Sequence, residues 1–522
     1  MRSLLRRCDR VLLAALTGVA PGLSAQEAGF GIEEASIAQI HQALRAGTTT
    51  CRWIVNESLR RIEAYDRRGP ALNAIVNTNP DALAVADSLD RRFRTGGLVG
   101  PLHCVPMIVK ENMETLELPT TAGSLALEGF KTGRDATMVR QIKAAGAVVV
   151  AKSNMAEWAF SPYETVSSIL PGYTRNPYAL NRVTAGSSGG TAAAVAASYG
   201  TVGLGTDTGN SIRGPSAHQA LVGIRSTIGL TSRAGIVPLN LAADIAGPMA
   251  RTVADAVAVF QVITGEDPAD PVTAAARDRP TVDYRAALKA DGLRGARIGV
   301  LKQAYNRSTT DPEVIRVFER ALSDLRSAGA IVIDSVGVDS LSAWQRQQSG
   351  SCNQFRHDLE AWLAEHGDRA PLKTLAEIVR SRRYHPSVTR QLEAVLASDT
   401  IPLAENPGCA SRDQFRERLR RGILGVMDGQ HLDALVYPTW SNAPRLIGDL
   451  NTPHGDNNQL FSPSTGFPAL TVPMGWLRDG TLPAGLQFFG RPWDEATLIR
   501  LGYSYEQGTR HRRPPAVTQP LP

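Results

Sequence analysis

From Val99 onward, short apolar runs alternate with amphipathic helical stretches, and this rhythm limits the chain to an α/β architecture. Residues 105–109 read as a strand. Met138, Val139 and Ile142 line one helix face, Gly146 ends that helix, and residues 147–151 form the next strand. A second unit repeats the order: a strand over 297–301, Asp311-Pro312 as helix cap and first turn, an amphipathic helix over 314–325, Gly329 as its stop, and a strand over 330–336. Residues 432–437, 469–472 and 486–489 supply further strands. Ahead of this region lie two covering helices. One opens on a capping box at Ser36-Ile37-Ala38-Gln39 and runs to Gly47; the other spans 51–65, and His41 on the first is expected to be solvated.

Chemistry concentrates in Gly203-Leu204-Gly205-Thr206-Asp207-Thr208-Gly209-Asn210-Ser211-Ile212-Arg213-Gly214-Pro215. A short buried strand stops at a turn rich in Gly, Asp and Asn, and a serine stands where a helix begins. Successive amides in such a turn converge, so an oxyanion beside Ser211 is stabilised without a charged side chain. A Gly-rich surface turn has the same composition, and two further stretches weigh against it. Upstream come Ala185-Gly186-Ser187-Ser188-Gly189-Gly190-Thr191 and, earlier, His103-Cys104-Val105-Pro106-Met107-Ile108-Val109-Lys110-Glu111-Asn112, with a lysine ending an apolar strand.

In that order and spacing the three blocks resemble the amidase signature family of serine hydrolases, and the likeness extends to Gly466-Phe467-Pro468-Ala469 and Pro483-Ala484-Gly485-Leu486-Gln487. The resemblance implies one large domain over 26–522, a central mixed β-sheet with helices on both faces, a signature core at about 95–260, and a variable, mostly helical region at about 339–430 that shapes the substrate pocket. It implies hydrolysis of a carboxylic amide through an acyl-enzyme on Ser211, with Ser187 relaying protons to the base Lys110 across a cis Gly186–Ser187 bond. Backbone amides of Thr208, Gly209, Asn210 and Ser211 form the expected oxyanion hole. Ser188, Asp207 and Arg213 are expected to hold the loops. The layout is similar to secreted peptide amidases and aryl acylamidases, with a small amide or peptide amide as substrate and no cofactor or metal.

The residues support a lysine base independently. A serine hydroxyl needs a base within hydrogen-bond reach, and none of the nine histidines sits in a recognisable triad context. His103 and His218 are near the motifs and are kept as pocket residues. Lysine serves only if burial or a cationic neighbour keeps it neutral, and Lys110 follows an apolar run that would bury it. Only seven of the 56 basic residues are lysines, so Lys110 is not drawn from a Lys-rich surface. Lys152 ends a comparable strand and is the control, expected to be structural. The chain departs from the common family pattern at Asn210 (usually glycine), Glu111 (aspartate) and Cys104 (glycine).

Net charge is +6, but Arg2, Arg6, Arg7 and Arg10 against Asp9 supply half of it, leaving too little to indicate a nucleic-acid partner. That basic start, an apolar stretch over 11–23 too short to span a bilayer, and Leu23-Ser24-Ala25 read as a signal peptide over 1–25; the protein is expected to be exported, as a monomer or homodimer. Arg6-Arg7 leaves a twin-arginine route open. Cys51, Cys104, Cys352 and Cys409 remain after cleavage. A Cys352–Cys409 bridge and four buried thiols are both compatible with the sequence.

Three other readings compete. The amidase component of a tRNA-dependent amidotransferase belongs to the same family but works in the cytoplasm with partner proteins. Gly186-Ser187-Ser188-Gly189-Gly190 fits a nucleophile elbow with Ser188 as nucleophile in an esterase or α/β-hydrolase, but 179–184 is not the apolar strand this needs. A non-catalytic binding protein would have no use for Lys110, Ser187 and Ser211 together.

Overall fold

The computed structural model describes residues 30–398 and 400–521; the expected signal peptide lies outside the described residues. One mixed sheet of eleven strands crosses the molecule. In spatial order the strands are Ile75–Thr78, Val148–Ser153, Pro106–Lys110, Val202–Asp207, Ile245–Ala250, Val222–Arg225, Ala469–Leu477, Leu482–Phe489, Ala434–Pro438, Arg297–Leu301 and Ile331–Val336. Pro106–Lys110 is parallel to both neighbours, pairing Val109 with Lys152 on one side and with Leu204 on the other. Lys110, Ser153 and Asp207 therefore end their strands on the same edge of the sheet, where α/β proteins bind ligands.

Side-chain alternation sorts the core onto two faces. Met107 and Val109 join the larger apolar cluster, whereas Ile108 joins a second one with Ala193 and Ala194 of the helix Gly189–Ala196. Lys110 has the parity of Ile108, so its side chain leaves the strand on the face which that helix covers. The helix is built almost wholly of small residues and is fully buried. It sits so close to the sheet that a Cβ on Gly203 would fall 2.4 Å from Thr191 Cγ2, a contact only glycine avoids. Such close packing brings the helix N-terminus, with Ser187 and Ser188, over the strand end that carries Lys110.

The α/β reading holds as a single domain with helices flanking the sheet. The capping box at Ser36 is formed, and the helix Pro312–Ser327 begins at Asp311 with Pro312 in its first turn. Several expectations need correction. His41 is buried, and its Nε2 donates to His103 O at 3.0 Å. The helix from Cys51 continues past Arg61 as a π-helical stretch, Ile62–Arg67. Ala179–Val183 is a strand, but it pairs with Arg175–Asn176 in a separate two-stranded ribbon and bridges through Arg182 to Leu446, so among the described residues no strand of the main sheet feeds Ser188 as a nucleophile elbow requires. Cys51 and Cys104 are bridged instead of being free thiols, while the Cys352–Cys409 bridge is formed as one of the two sequence readings had it. Among the described residues no helix is long and apolar enough to cross a membrane.

Candidate active site

Lys110 is fully buried at its strand end. Its Nζ donates to Ser187 Oγ and to Thr206 Oγ1, both at 2.7 Å, and Asn112 Nδ2 also donates to Thr206 Oγ1 at 3.2 Å. Burial pushes the amine down from its usual value of 10.5 to about 7, against the opposing pull of Asp207 and Asp244. Ser187 follows a cis Gly186–Ser187 peptide bond, and its carbonyl accepts from Ala156 N–H at 3.1 Å. Ser188 Oγ donates to Thr206 O at 3.1 Å and accepts from Thr206 N–H at 3.3 Å, tying the serine turn to the neighbouring strand.

Ser211 is in the turn between Val202–Asp207 and the short helix Arg213–His218, on the wall of a cavity of about 270 Å³. Thr208, Gly209 and Asn210 form the adjoining wall. Among the described residues, the Ser211 hydroxyl and the amides of Thr208, Gly209, Asn210 and Ser211 find no hydrogen-bond partner. The chain's pairing resumes at Ile212, whose N–H goes to Asp207 Oδ2 at 3.2 Å. Lys110 and Ser187 are thus brought together directly, and Ser211 faces the cavity on the loop that follows Thr206 and Asp207.

Two buried arginines aim that loop. Asp207 Oδ2 accepts from Arg213 Nε at 2.9 Å and Oδ1 from Arg225 Nη1 at 3.1 Å, with all three side chains buried. Burial alone would raise the Asp207 carboxyl; Arg213 and Arg225 outweigh it and hold the carboxyl at about 2. Arg213 Nη2 also donates to Gly209 O at 2.8 Å, and Arg225 Nη1 to Asp207 O. In a trans peptide the N–H points opposite the C=O, so holding these carbonyls inward turns the amides of Asn210 and Thr208 the other way.

Asn210 stays out of the left-handed region, so no conformational privilege of glycine is needed there. Its side chain is held instead: Asn458 Nδ2 donates to its Oδ1 at 2.7 Å, and its Nδ2 donates to Pro162 O at 3.2 Å. It packs over Gly214, where a Cβ would fall 2.3 Å from the Asn210 amide. Cys104 has φ +60°, a conformation that suits glycine, and reaches Cys51. Glu111 Oε1 accepts from Thr121 Oγ1 at 2.9 Å, and burial raises its carboxyl. Lys152 is structural: its Nζ donates to Met113 O at 2.5 Å and Pro119 O at 3.1 Å, closing the loop beyond Lys110.

His103 and His218 are not pocket residues. His103 Nδ1 accepts from Val99 N–H at 3.2 Å, and His218 stacks on Trp440 with ring centroids 4.4 Å apart, burial holding it down at about 3. Among the described residues no histidine lines the Ser211 cavity. Cys51, Cys104 and Asp90 come close enough to suggest a metal site, but the sulfurs are bonded to each other and Asp90 accepts from the amides of Cys51 and Arg52 at 2.7 and 3.0 Å. Sequence reasoning missed Thr206, Arg225 and Asn458. Thr206 stood inside the recognised motif, whereas the other two are brought in only by the sheet.

The family model described as Amidase matches residues 53–499. The chain belongs to the amidase family. Its reaction class is hydrolysis of a carboxamide C–N bond. A plant protein named as a probable amidase, from Arabidopsis thaliana, is 32% identical over 510 residues, 93% of this chain and 92% of that one. A component of the glutamyl-tRNA(Gln) amidotransferase of Chloroflexus aggregans is 35% identical over 500 residues, 93% of this chain and 98% of its own. Among solved structures, the peptide amidase from Stenotrophomonas maltophilia superposes with a TM-score of 0.83 at 39% identity, covering 92% of this amidase and 98% of that chain.

Proposed function

We propose that this amidase is an exported enzyme that cleaves small or peptide carboxamides through an acyl-enzyme on Ser211, using Ser187 and Lys110 as proton relay and base. The observation that carries the reading is the buried amine of Lys110, held near neutrality at about 7 and 2.7 Å from Ser187 Oγ. In its neutral form the amine has a lone pair, so the hydrogen bond reverses and the Ser187 hydroxyl donates to Lys110 Nζ. Ser187 passes its hydroxyl proton to Lys110 Nζ and takes the proton of Ser211, whose oxygen attacks the amide carbonyl.

The tetrahedral oxyanion falls to the free amides of residues 208–211, each essential donor contributing about 3–4 kcal/mol in comparable sites. On collapse the leaving amine takes a proton back through Ser187. Water then attacks the ester by the same route and releases the acid. The likeness to a peptide amidase supports peptide amides as the first candidate substrates. Residues 339–430 contribute Gln348, Arg412, Phe415 and Arg416 to the cavity wall, in keeping with a pocket-shaping role.

A chromogenic amide and peptide amide panel tests this, with Ser211→Ala as blank. Turnover that disappears in Ser211→Ala and Lys110→Ala, together with fluorophosphonate labelling of Ser211, is the expected result. Turnover that survives Ser211→Ala and disappears in Ser188→Ala would restore the elbow reading.

The amidotransferase relatives raise a second reading, a role in tRNA-dependent amidation. Two disulfides favour an oxidising compartment over the cytosol, and with the N-terminal basic and apolar pattern they support export and cleavage after Ala25. Mass spectrometry of the mature N-terminus from a fractionated host decides: an intact Met1 in cytosolic complexes returns the amidotransferase reading.

A further inference from the structure

The Ser211 cavity has an unbalanced charge. Phe160, Leu239 and Phe415 give it apolar walls, Arg412 and Arg416 add two guanidinium groups, and among the described residues no carboxylate lines it. The two arginines are four apart on the helix Pro407–Gly429 and so project from the same face, where like charges at this spacing repel.

Arg416 is only 7% exposed and has no ion-pair partner among the described residues. Three backbone carbonyls hold it: its Nε donates to Ser464 O at 3.0 Å, and its Nη2 to Pro463 O at 3.1 Å and to Ala242 O. Its Nη1 meets no acceptor among the described residues. Arg412 Nη1 donates to Gln354 Oε1 at 2.8 Å and its Nε to the exposed Asp413 at 2.9 Å, and its Nη2 meets no acceptor among the described residues. Burial and the neighbouring charges of Arg412 and Arg420 push Arg416 down to about 10, the direction expected of a cation without a counter-charge.

A buried guanidinium without a carboxylate is costly, and carbonyl oxygens only partly compensate it. Here the unmet donors and the uncompensated charge share a cavity with the serine that takes the acyl group. We propose that Arg412 and Arg416 form an anion subsite beside Ser211, so that the preferred substrates are carboxamides bearing a carboxylate. The inference rests on Ser211 as nucleophile and adds the charge of the substrate. Two guanidinium groups can grip a carboxylate with paired, charge-assisted hydrogen bonds, which fix orientation as well as affinity.

The test compares matched amides. Glutaryl and pentanoyl 4-nitroanilide differ by a carboxylate in the acyl part; pentanoyl 4-aminobenzoate and pentanoyl anilide differ by one in the amine part. The expected result is a preference of at least tenfold in kcat/KM for the carboxylate in one pair, which tells which part of the substrate the arginines read. Arg412→Gln and Arg416→Gln should each cut that preference tenfold or more, and Arg416→Lys should keep part of it. Should Arg416→Gln fail to fold, Arg412→Gln and the parent enzyme still decide, because the KM of the carboxylated member should rise with added salt. Equal or better turnover of the neutral member in both pairs overturns the subsite and leaves the hydrolase reading standing. No turnover of any member, with Ser211 unlabelled by fluorophosphonate, removes both.

Discussion

Lys110 donates to Thr206 Oγ1 over 2.7 Å, the same separation as to Ser187 Oγ. A neutral amine has two N–H groups and one lone pair, so a fixed acceptor for one N–H limits where the lone pair points. Thr206 is such an acceptor, and the Asn112 amide, 3.2 Å from the same oxygen, keeps it in place. Replacing Thr206 with Val keeps the shape and removes the hydroxyl. We expect kcat to fall roughly tenfold or more with KM little changed, because the loss is in alignment of the base. The acid limb of the pH profile should also move to lower pH, since Thr206 favours the protonated amine. Steady-state kinetics across pH would check both.

On the proposed mechanism the Lys110 amine itself sets that limb. With the group at about 7, the neutral, proton-accepting form dominates above pH 7 and is lost below it. On the proposed mechanism kcat/KM should be level on the alkaline side and drop tenfold per pH unit below about 7. Lys110→Met should lower activity by about 10²–10⁴-fold or more, the usual span for a general base, and abolish the limb. A limb that persisted in the residual activity of Lys110→Met would assign it to another group.

Asp207 is a stability determinant as well as a scaffold for the turn. Its folded value of about 2 lies below its ordinary 3.8, so its contribution is fully present above about pH 4 and is lost as pH falls through about 2. Asp207→Asn leaves Arg213 and Arg225 buried without their counter-charge, at a cost of about 3–5 kcal/mol. Urea unfolding should show that deficit at pH 7, and the gap between the parent and Asp207→Asn should narrow between pH 4 and pH 2. A gap independent of pH would mean that packing, not charge, is what the substitution removes.

The legible part of this molecule was what depends on local pattern. Pro312 opened its helix where the Asp-Pro pair placed it, and Lys110 ended its strand where the apolar run stopped. Lys152 resembles Lys110 by position, and the two part ways through what they reach: two carbonyls and the Thr120 hydroxyl of a neighbouring loop in one case, the hydroxyls of Ser187 and Thr206 in the other. Non-local partners were not legible. Arg225 meets Asp207 because antiparallel pairing places Val222–Arg225 beside Ile245–Ala250, itself the neighbour of Val202–Asp207. Asn458 reaches Asn210 across 248 positions with no flanking motif to mark it. His41 lies on a helix with the pattern of a surface cover, and only the tertiary contact turns its ring inward to the carbonyl of His103.

The Cys352–Cys409 bridge joins the chain just before the helix Gln354–Glu365 to the first turn of Pro407–Gly429, one turn before Arg412. The cysteines are 57 positions apart, and closing a loop of that size restricts the unfolded chain by about 4 kcal/mol in the chain-entropy account. Cys352→Ser with Cys409→Ser should therefore lower the melting temperature. The same pair anchors the helix that presents Arg412, Phe415 and Arg416 to the Ser211 cavity, whereas Lys110, Ser187 and Ser211 belong to the signature segments. Loss of the bridge should consequently raise KM more than it lowers kcat, as expected when substrate positioning loosens and the proton relay stays intact. Thermal unfolding together with kinetics on a carboxylated anilide would separate the two effects. A fall in kcat with KM unchanged would place the bridge in support of the relay instead of the cavity wall.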